Sequence, residues 1–262
     1  MPGVQISGST VLVTGASSGI GAALARRLAA DGATVGIVAR RADRLAEVLA
    51  DCQAKSPASR MWVADLADLE EADKVAIGAW DAFGRLDCLV NNAGVPMRRH
   101  TTKLDADTLD WVMRVNFTAP ARMTMALLPR MLDRGSGMIV NVSSVAGRLG
   151  NANEAAYSAS KFALCGWSEA IAVDLWDTGI KVRLVNPGPI DTEIWDLPDN
   201  DVPLMDVPKV SAEDMADAIA KAMEGDAFET YFPDMKSIIE MKTSDPDSFL
   251  KGMADMARSA RG

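Results

Sequence analysis

Thr10-Val11-Leu12-Val13-Thr14-Gly15-Ala16-Ser17-Ser18-Gly19-Ile20-Gly21 passes from a short β-branched apolar run straight into a glycine-rich turn. Ile20, Leu24 and Leu28 then recur every four residues as far as Asp31-Gly32, which marks one face of a helix. A strand, a glycine turn and a helix in that order make a phosphate cradle. Glycines let the backbone close on an anion, and the helix amino terminus offers free N–H groups and the positive end of a dipole. The spacing is G-x-x-x-G-x-G, not the commoner G-x-G-x-x-G. Gly15, Ser17, Ser18, Gly19, Ile20 and Gly21 are therefore candidate contacts of a bound cofactor.

The pattern continues outward from this unit. A second strand, Thr34 to Ala39, ends in Arg40-Arg41. Chains that prefer NAD usually place an acid here for the ribose 2′-hydroxyl. Arginines suit a 2′-phosphate through bidentate pairing, so Arg40 and Arg41 favour NADP(H) over NAD(H). Leu45, Val48, Leu49 and Cys52 mark the next helix. Met61-Trp62-Val63-Ala64 reads as a third strand, closed by Asp65-Leu66. Asp65 either contacts adenine or caps the helix that starts near Asp68.

A helix around 75–83 leads to a fourth strand and the turn Asn91-Asn92-Ala93-Gly94. Residues 108–132 are helical and hold Asn116 between Val115 and Phe117. Asn is mildly unfavourable inside a helix, so this one asks for a reason. Strand five is 138–142. Strand six, 180–185, runs into Asn186-Pro187-Gly188-Pro189-Ile190-Asp191-Thr192. Strands alternating with helices specify a parallel sheet with helices on both faces, a doubly wound α/β fold. No repeat or linker interrupts it, so residues 1–262 form one domain.

Between strand five and strand six lie Ser144, Tyr157 and Lys161. If residues 154–177 are helical, Tyr157 and Lys161 are one turn apart on one face. A phenol is a poor proton donor or acceptor at neutral pH, and an adjacent ammonium favours the phenolate. Ser144 follows a buried strand, at the end of the sheet where open α/β folds bind ligands. Tyr-x-x-x-Lys alone is common on surface helices; the surroundings carry its meaning here.

The composition is that of an ordinary globular chain, with 48% hydrophobic and 24% charged residues. The net charge of −9 argues against a nucleic-acid partner. No apolar run is long enough to predict a membrane span, and no basic-then-apolar leader precedes Thr10. Cys52, Cys88 and Cys165 are widely spaced in apolar contexts. They read as reduced core residues of a cytoplasmic protein, with no metal site expected. His100 is the only histidine, and its neighbours Arg98 and Arg99 suggest an exposed loop.

Residues 190–210 mix Ile194, Trp195, Leu197, Leu204 and Met205 with prolines and acids. That is the chemistry of a lid, and the expected lid segment spans 190–225. The tail, 233–262, has no assigned role. Its Phe249, Leu250, Met253 and Met256 fall at helical spacing, first as core or subunit contact and second as a pocket wall.

Together these motifs resemble the short-chain dehydrogenase/reductase family in its compact, single-domain form. The resemblance rests on 14–21, Asn91-Asn92-Ala93-Gly94, Asn116, Ser144, Tyr157-x-x-x-Lys161 and Pro187-Gly188 with Thr192, and covers about residues 8–195. It implies a seven-stranded Rossmann sheet. Gly15, Ser17, Gly19, Ile20 and Gly21 would line the cofactor diphosphate. Asp65 and Leu66 would flank adenine, and Asn92, with Ala93 and Gly94, would lie near the adenine-side ribose. Tyr157 would be the acid in reduction and the base in oxidation. Lys161 would bind the nicotinamide ribose and lower the Tyr157 pKa. Ser144 would hydrogen-bond the substrate oxygen, and Asn116 would hold a water linking Lys161 to solvent. Thr192, with Ile190, would fix the carboxamide.

The expectation is an NADP(H)-dependent oxidoreductase that interconverts a carbonyl and a secondary alcohol on a small molecule. Val95, Pro96, Met97, Leu149, Ile194, Trp195 and Leu197 are the pocket candidates, and their apolar character favours an apolar substrate. The alternatives are a 3-oxoacyl-thioester or steroid-type ketoreductase, and a catalytically silent cofactor sensor. Arg98, Arg99 and Arg148 could supply a basic patch for an acidic carrier protein, against which the acidic 190–210 stretch argues. The resemblance also implies a homotetramer or homodimer.

Overall fold

The parallel strands are β1 (Thr10–Thr14), β2 (Thr34–Ala39), β3 (Arg60–Val63), β4 (Cys88–Asn91), β5 (Gly137–Val142), β6 (Ile180–Pro187) and β7 (Glu229–Phe232). They come from a computed structural model that describes residues 3–204 and 207–260, so Met205 of the expected lid lies outside the described residues. The strands form one seven-stranded sheet in the order β3-β2-β1-β4-β5-β6-β7. Successive side chains of a strand point to opposite faces. Val11 and Val13 of β1 therefore enter one core and Leu12 the other. Both faces are covered, which is why the central strands are largely apolar rather than alternating.

On one face lie α1 (Gly19–Ala30), α2 (Ala42–Gln53) and α7 (Ala212–Glu224). Leu24, Leu28, Leu45, Met215 and Ile219 fill that layer. On the other lie α3 (Leu69–Phe83), α5 (Ala119–Arg134) and α6 (Ala155–Asp174), through Ala72, Met123, Leu127 and Ile171. Each fully buried Leu contributes roughly 1.5–3 kcal/mol. The remaining helices are α4 (Ala106–Met113), α8 (Lys236–Ser244) and α9 (Pro246–Ser259). Among the described residues no helix is long and apolar enough to cross a membrane.

Several local features differ from the sequence expectation. Asp68, not Asp65, caps α3, accepting from the Glu70 and Glu71 N–H groups; Asp65 instead accepts from the Ala67 N–H. The helix expected over 108–132 is α4 and α5 joined by a π-helical turn, Arg114–Thr118, that contains Asn116. The Tyr157 helix ends at Asp174, short of the expected 177. Part of the expected lid segment, 190–225, is regular helix. Residues 212–224 are α7, whose Met215, Ala216 and Ile219 are buried against the sheet. Before it, Ile190 and Val210 pair in an isolated parallel bridge.

The chain winds outward from β1 to β2 and β3, then returns to place β4 on the other side of β1. Connections therefore leave β1 and β4 in opposite directions and open a crevice at their carboxyl ends. Thr14, the glycine turn and Asn92 meet there.

Candidate active site

The glycine turn is pressed against β4. Gly15 has φ +69°, and a Cβ there would sit 2.7 Å from the Ala93 Cα. At Gly21 a Cβ would meet the Gly15 carbonyl oxygen and the Asn92 amide nitrogen. Larger residues would lift the turn off the sheet. No side chain caps α1, which leaves its first N–H groups for an anion at the turn. The cleft here holds about 260 Å³ and is lined by Gly15, Ser17, Ser18, Gly19, Ile20, Gly21, Arg40, Arg41, Asp65, Leu66, Asn92, Ala93 and Gly94. A tight glycine cradle, uncapped helix N–H groups and two arginines suit the phosphates of a dinucleotide.

Asn92 reaches across the switch point. Its Nδ2 donates to the Thr14 carbonyl at 2.9 Å, and its own N–H donates to Thr14 Oγ1 at 3.0 Å. Its amide thus locks β1 to β4 at the mouth of the cleft. Arg41 reaches back over the turn, its Nη2 donating to Ser18 Oγ at 2.6 Å and its Nε to Ser17 Oγ at 3.2 Å.

A second cavity, of about 500 Å³, adjoins the first. Ile20, Asn92, Gly94, Thr192 and Ile194 line both. Ser144, Tyr157 and Lys161 line the larger one. Ser144 caps the 3₁₀ turn Val145–Gly147 through the Ala146 N–H at 3.1 Å, its Oγ donates to the Pro187 carbonyl at 3.5 Å, and its hydroxyl favours the ionised form of the neighbouring Tyr157 phenol. Ser143 is engaged elsewhere, donating to the Lys161 carbonyl at 3.1 Å.

The electrostatics differ from the expected lysine-lowered phenol. Burial pushes Tyr157 up to about 12, with the charge of Glu154 adding to it and the Ser144 hydrogen bond opposing. Burial likewise pushes Lys161 down to about 8. Lys161 Nζ donates to the Val142 carbonyl at 3.1 Å and lies over the Tyr157 ring. In a low-dielectric site, removal from water outweighs their mutual effect.

Asn116 is fully buried and its amide is committed. It accepts from the Val95 N–H at 2.8 Å and donates to the Val95 carbonyl and to Ser160 Oγ, each at 3.0 Å. The π turn faces this amide toward the β4 loop, the reason a polar residue stands inside the helix. Both Asn116 Oδ1 and Lys161 Nζ lie 3.5 Å from the point where a Gly94 Cβ would stand.

Of the pocket candidates, Pro96, Leu149, Ile194 and Trp195 line the larger cavity. Val95 and Met97 do not. Val95 lines the cofactor cleft, and Met97 is buried in a small core with Val112, Val115 and Ala156. Leu197 also lines the cofactor cleft. Ile190, expected at the cofactor carboxamide, lines the larger cavity with Pro187 and Gly188, while Thr192 touches both. The tail supplies a wall rather than plain core: Met235, Ile238, Phe249, Met253 and Met256 face the cavity.

The expected basic patch is not free, although Arg99 and His100 stay partly exposed on their loop. Arg98 is buried, donating to the Trp195 carbonyl at 2.6 Å and stacking on the Trp195 ring. Arg148 pairs with Glu169 and Glu229. Reasoning from sequence missed Glu154 and Glu193. Glu154 stands three residues before Tyr157 on its helical approach, lines the cavity, and is pushed above the usual carboxylate range by burial. Its spacing from Tyr157 was the available signal. For Glu193 the available signal was its place next to Thr192, expected at the cofactor.

A doubly wound sheet, a glycine cradle at its switch point and a Ser-Tyr-Lys cluster in the adjoining cavity define a class: nicotinamide-dinucleotide-binding proteins of the kind that move hydride between CH–OH and C=O groups. The chain belongs to the short-chain dehydrogenase/reductase family, since the family model described as "short chain dehydrogenase" matches residues 9–201. The ketoacyl reductase HetN of Nostoc sp. is 37% identical over 186 residues, 70% of this chain and 64% of that protein, so this chain spans less than two thirds of that relative. A short-chain dehydrogenase from Sphingobium yanoikuyae in complex with NADPH superposes with TM-score 0.81 at 29% identity, over 94% of this chain and 95% of that one. A Burkholderia phymatum short-chain dehydrogenase/reductase in complex with NAD gives TM-score 0.81 at 25% identity, over 93% and 96%.

Proposed function

We propose that this protein is an NADP(H)-dependent oxidoreductase that interconverts a carbonyl and a secondary alcohol on an apolar small molecule. The observation that carries the reading is Ser144, Tyr157 and Lys161 brought together in a cavity walled by Leu149, Ile194, Met235, Phe249 and Met253. Gly15, Ser17, Gly19, Ile20 and Gly21 hold the diphosphate, Arg40 and Arg41 a 2′-phosphate, and Asp65 and Leu66 flank adenine. Lys161 binds the nicotinamide ribose, with Asn116 positioned beside it, and Thr192 and Ile190 orient the carboxamide. The bound nicotinamide supplies or accepts the hydride. As negative charge grows on the substrate oxygen, Ser144 and Tyr157 point donors at it, and Tyr157 delivers the proton. A phenol raised by burial is held protonated, ready to donate. In oxidation the same hydroxyl, as phenolate, accepts the alcohol proton.

Residues 190–210 act as the lid on this cavity. Exposed Val173 in the last turn of α6, Trp176 just beyond it, and Met125 and Leu132 on α5 support self-association, as a dimer or tetramer. Three free, buried cysteines fit a reducing, cytoplasmic setting.

Likeness to a ketoacyl reductase favours a second reading, an acyl-thioester substrate. The burial of Arg98 and the pairing of Arg148 weigh against a basic dock for an acidic carrier. The test is a titration with NADPH and NADH following nicotinamide fluorescence, then a carbonyl panel with the tighter cofactor. Tighter NADPH binding and turnover of aryl or alkyl ketones support the first reading. Turnover confined to acyl thioesters supports the second. Tight cofactor binding with no turnover on either panel would leave a cofactor sensor.

A further inference from the structure

Glu193 lies on the 3₁₀ turn Glu193–Trp195 of the 190–210 segment, far in sequence from the glycine turn. Its carboxylate nonetheless gathers three donors at the edge of the cofactor cleft. Ser18 Oγ donates to Oε1 at 2.6 Å, Arg41 Nη2 pairs with Oε1 at 2.5 Å, and Arg44 Nη1 donates to Oε2 at 2.6 Å. One hydroxyl and two guanidinium groups make the donor set that holds a phosphate monoester. Ser18, Arg41 and Glu193 all line the same cleft.

We propose that Glu193 is a cofactor-discriminating residue, which occupies the donors of Ser18, Arg41 and Arg44 and competes there with the 2′-phosphate of NADP. The proposal rests on the reading of Arg41 as a 2′-phosphate contact. Chains that prefer NAD carry a carboxylate at the end of β2 to accept from the ribose 2′-hydroxyl. Here that position is arginine, and the carboxylate comes from across the cleft. With NADH, Glu193 stays and accepts from the 2′-hydroxyl. With NADPH, the phosphate displaces it and takes the arginines. The exchange is feasible because these ion pairs are partly exposed, and such pairs are weak enough to break. Arg41 and Arg44 hold Glu193 at about 2, so it is ionised wherever the protein works.

The experiment compares wild type, Glu193→Gln and Arg41→Ala, each titrated with NADPH and with NADH by nicotinamide fluorescence. Glu193→Gln should tighten NADPH about fivefold or more and leave NADH unchanged or weaker, raising the ratio of the two affinities. A general disturbance of the segment would move both affinities together, so an unchanged or lowered ratio overturns the proposal. Arg41→Ala separates the layers. If it weakens NADPH while Glu193→Gln leaves the ratio alone, only the Glu193 proposal falls. If it leaves NADPH binding unchanged, the 2′-phosphate reading falls and takes the Glu193 proposal with it.

Discussion

Lys161 Nζ lies 5.8 Å from the centre of the Tyr157 ring and donates its hydrogen bond to the Val142 carbonyl. The two residues stand one turn apart on α6, as their spacing requires. Yet each is governed more by burial than by the other: the phenol is raised to about 12 and the ammonium lowered to about 8. This arrangement shapes the outcomes expected of variants and of pH.

Replacing Tyr157 by Phe keeps the ring in its place and removes only the hydroxyl. Turnover should fall about a thousandfold, within the usual range for a lost general acid. NADPH affinity should stay within about threefold of wild type by fluorescence titration. A variant that retained a tenth of wild-type activity would remove Tyr157 from the chemistry.

The two reaction directions should respond oppositely to pH. Reduction needs the protonated phenol, which persists through neutral pH because Tyr157 is raised to about 12. Oxidation needs the phenolate, so its rate should climb as pH rises through the alkaline range. Glu154 contributes to raising Tyr157, so Glu154→Gln should move the oxidation profile to lower pH. Initial rates in both directions across pH 6 to about 11 check this; an unmoved profile would show that Glu154 does not act on Tyr157.

Lys161 should cost stability in the cofactor-free protein. Its pKa is lowered from 10.5 to about 8 on folding, so the unfolded chain binds more protons between those values. The penalty is therefore full below pH 8 and relieved as pH rises toward 10.5. It amounts to about 3 kcal/mol, and roughly 1 kcal/mol for the lost Val142 hydrogen bond offsets part of it. Lys161→Met should thus be about 2 kcal/mol more stable than wild type at pH 7 while losing activity. Urea unfolding at pH 7 and pH 10 measures both the gain and its shrinkage.

Asn116→Ala should be the converse, a loss of both stability and turnover. It orphans the buried Val95 N–H and carbonyl, which now pair with the amide. The expected cost is about 2–4 kcal/mol in urea unfolding. Release of Val95, which lines the cofactor cleft, should also weaken NADPH binding. Unchanged cofactor affinity in a folded variant would confine Asn116 to a packing role.

Local patterns carried much of the fold. The 10–21 stretch, the alternation of strands and helices, and the β-branched runs place six of the sheet's strands within a residue or two. Such signals are legible because they arise from neighbours in sequence: backbone propensity, glycine freedom and side-chain period. Tyr157 and Lys161 are legible for the same reason, being separated by one helical turn. Asp65 and Asp68 show the limit. Both are plausible caps by type, and only the starting point of α3 selects Asp68.

Contacts that span long stretches of chain could not be read this way. Met97 looks like a pocket residue by composition, and packing buries it with Val112 and Val115 instead. Arg98 looks like a solvated charge, and the Trp195 segment folds over it. Glu193 meets Arg41 only because the turn Glu193–Trp195 comes to the edge of the cofactor cleft. The tail becomes a cavity wall because α8 and α9 fold back over Ser144 and Tyr157. By itself, then, the sequence determined the doubly wound sheet, the glycine cradle and the Ser144, Tyr157 and Lys161 cluster, since each rests on short-range spacing. The tertiary structure alone decided the pocket walls, the partner of Arg41 and the upward shift of the Tyr157 pKa, since burial and long-range contact exist only once the chain has closed on itself.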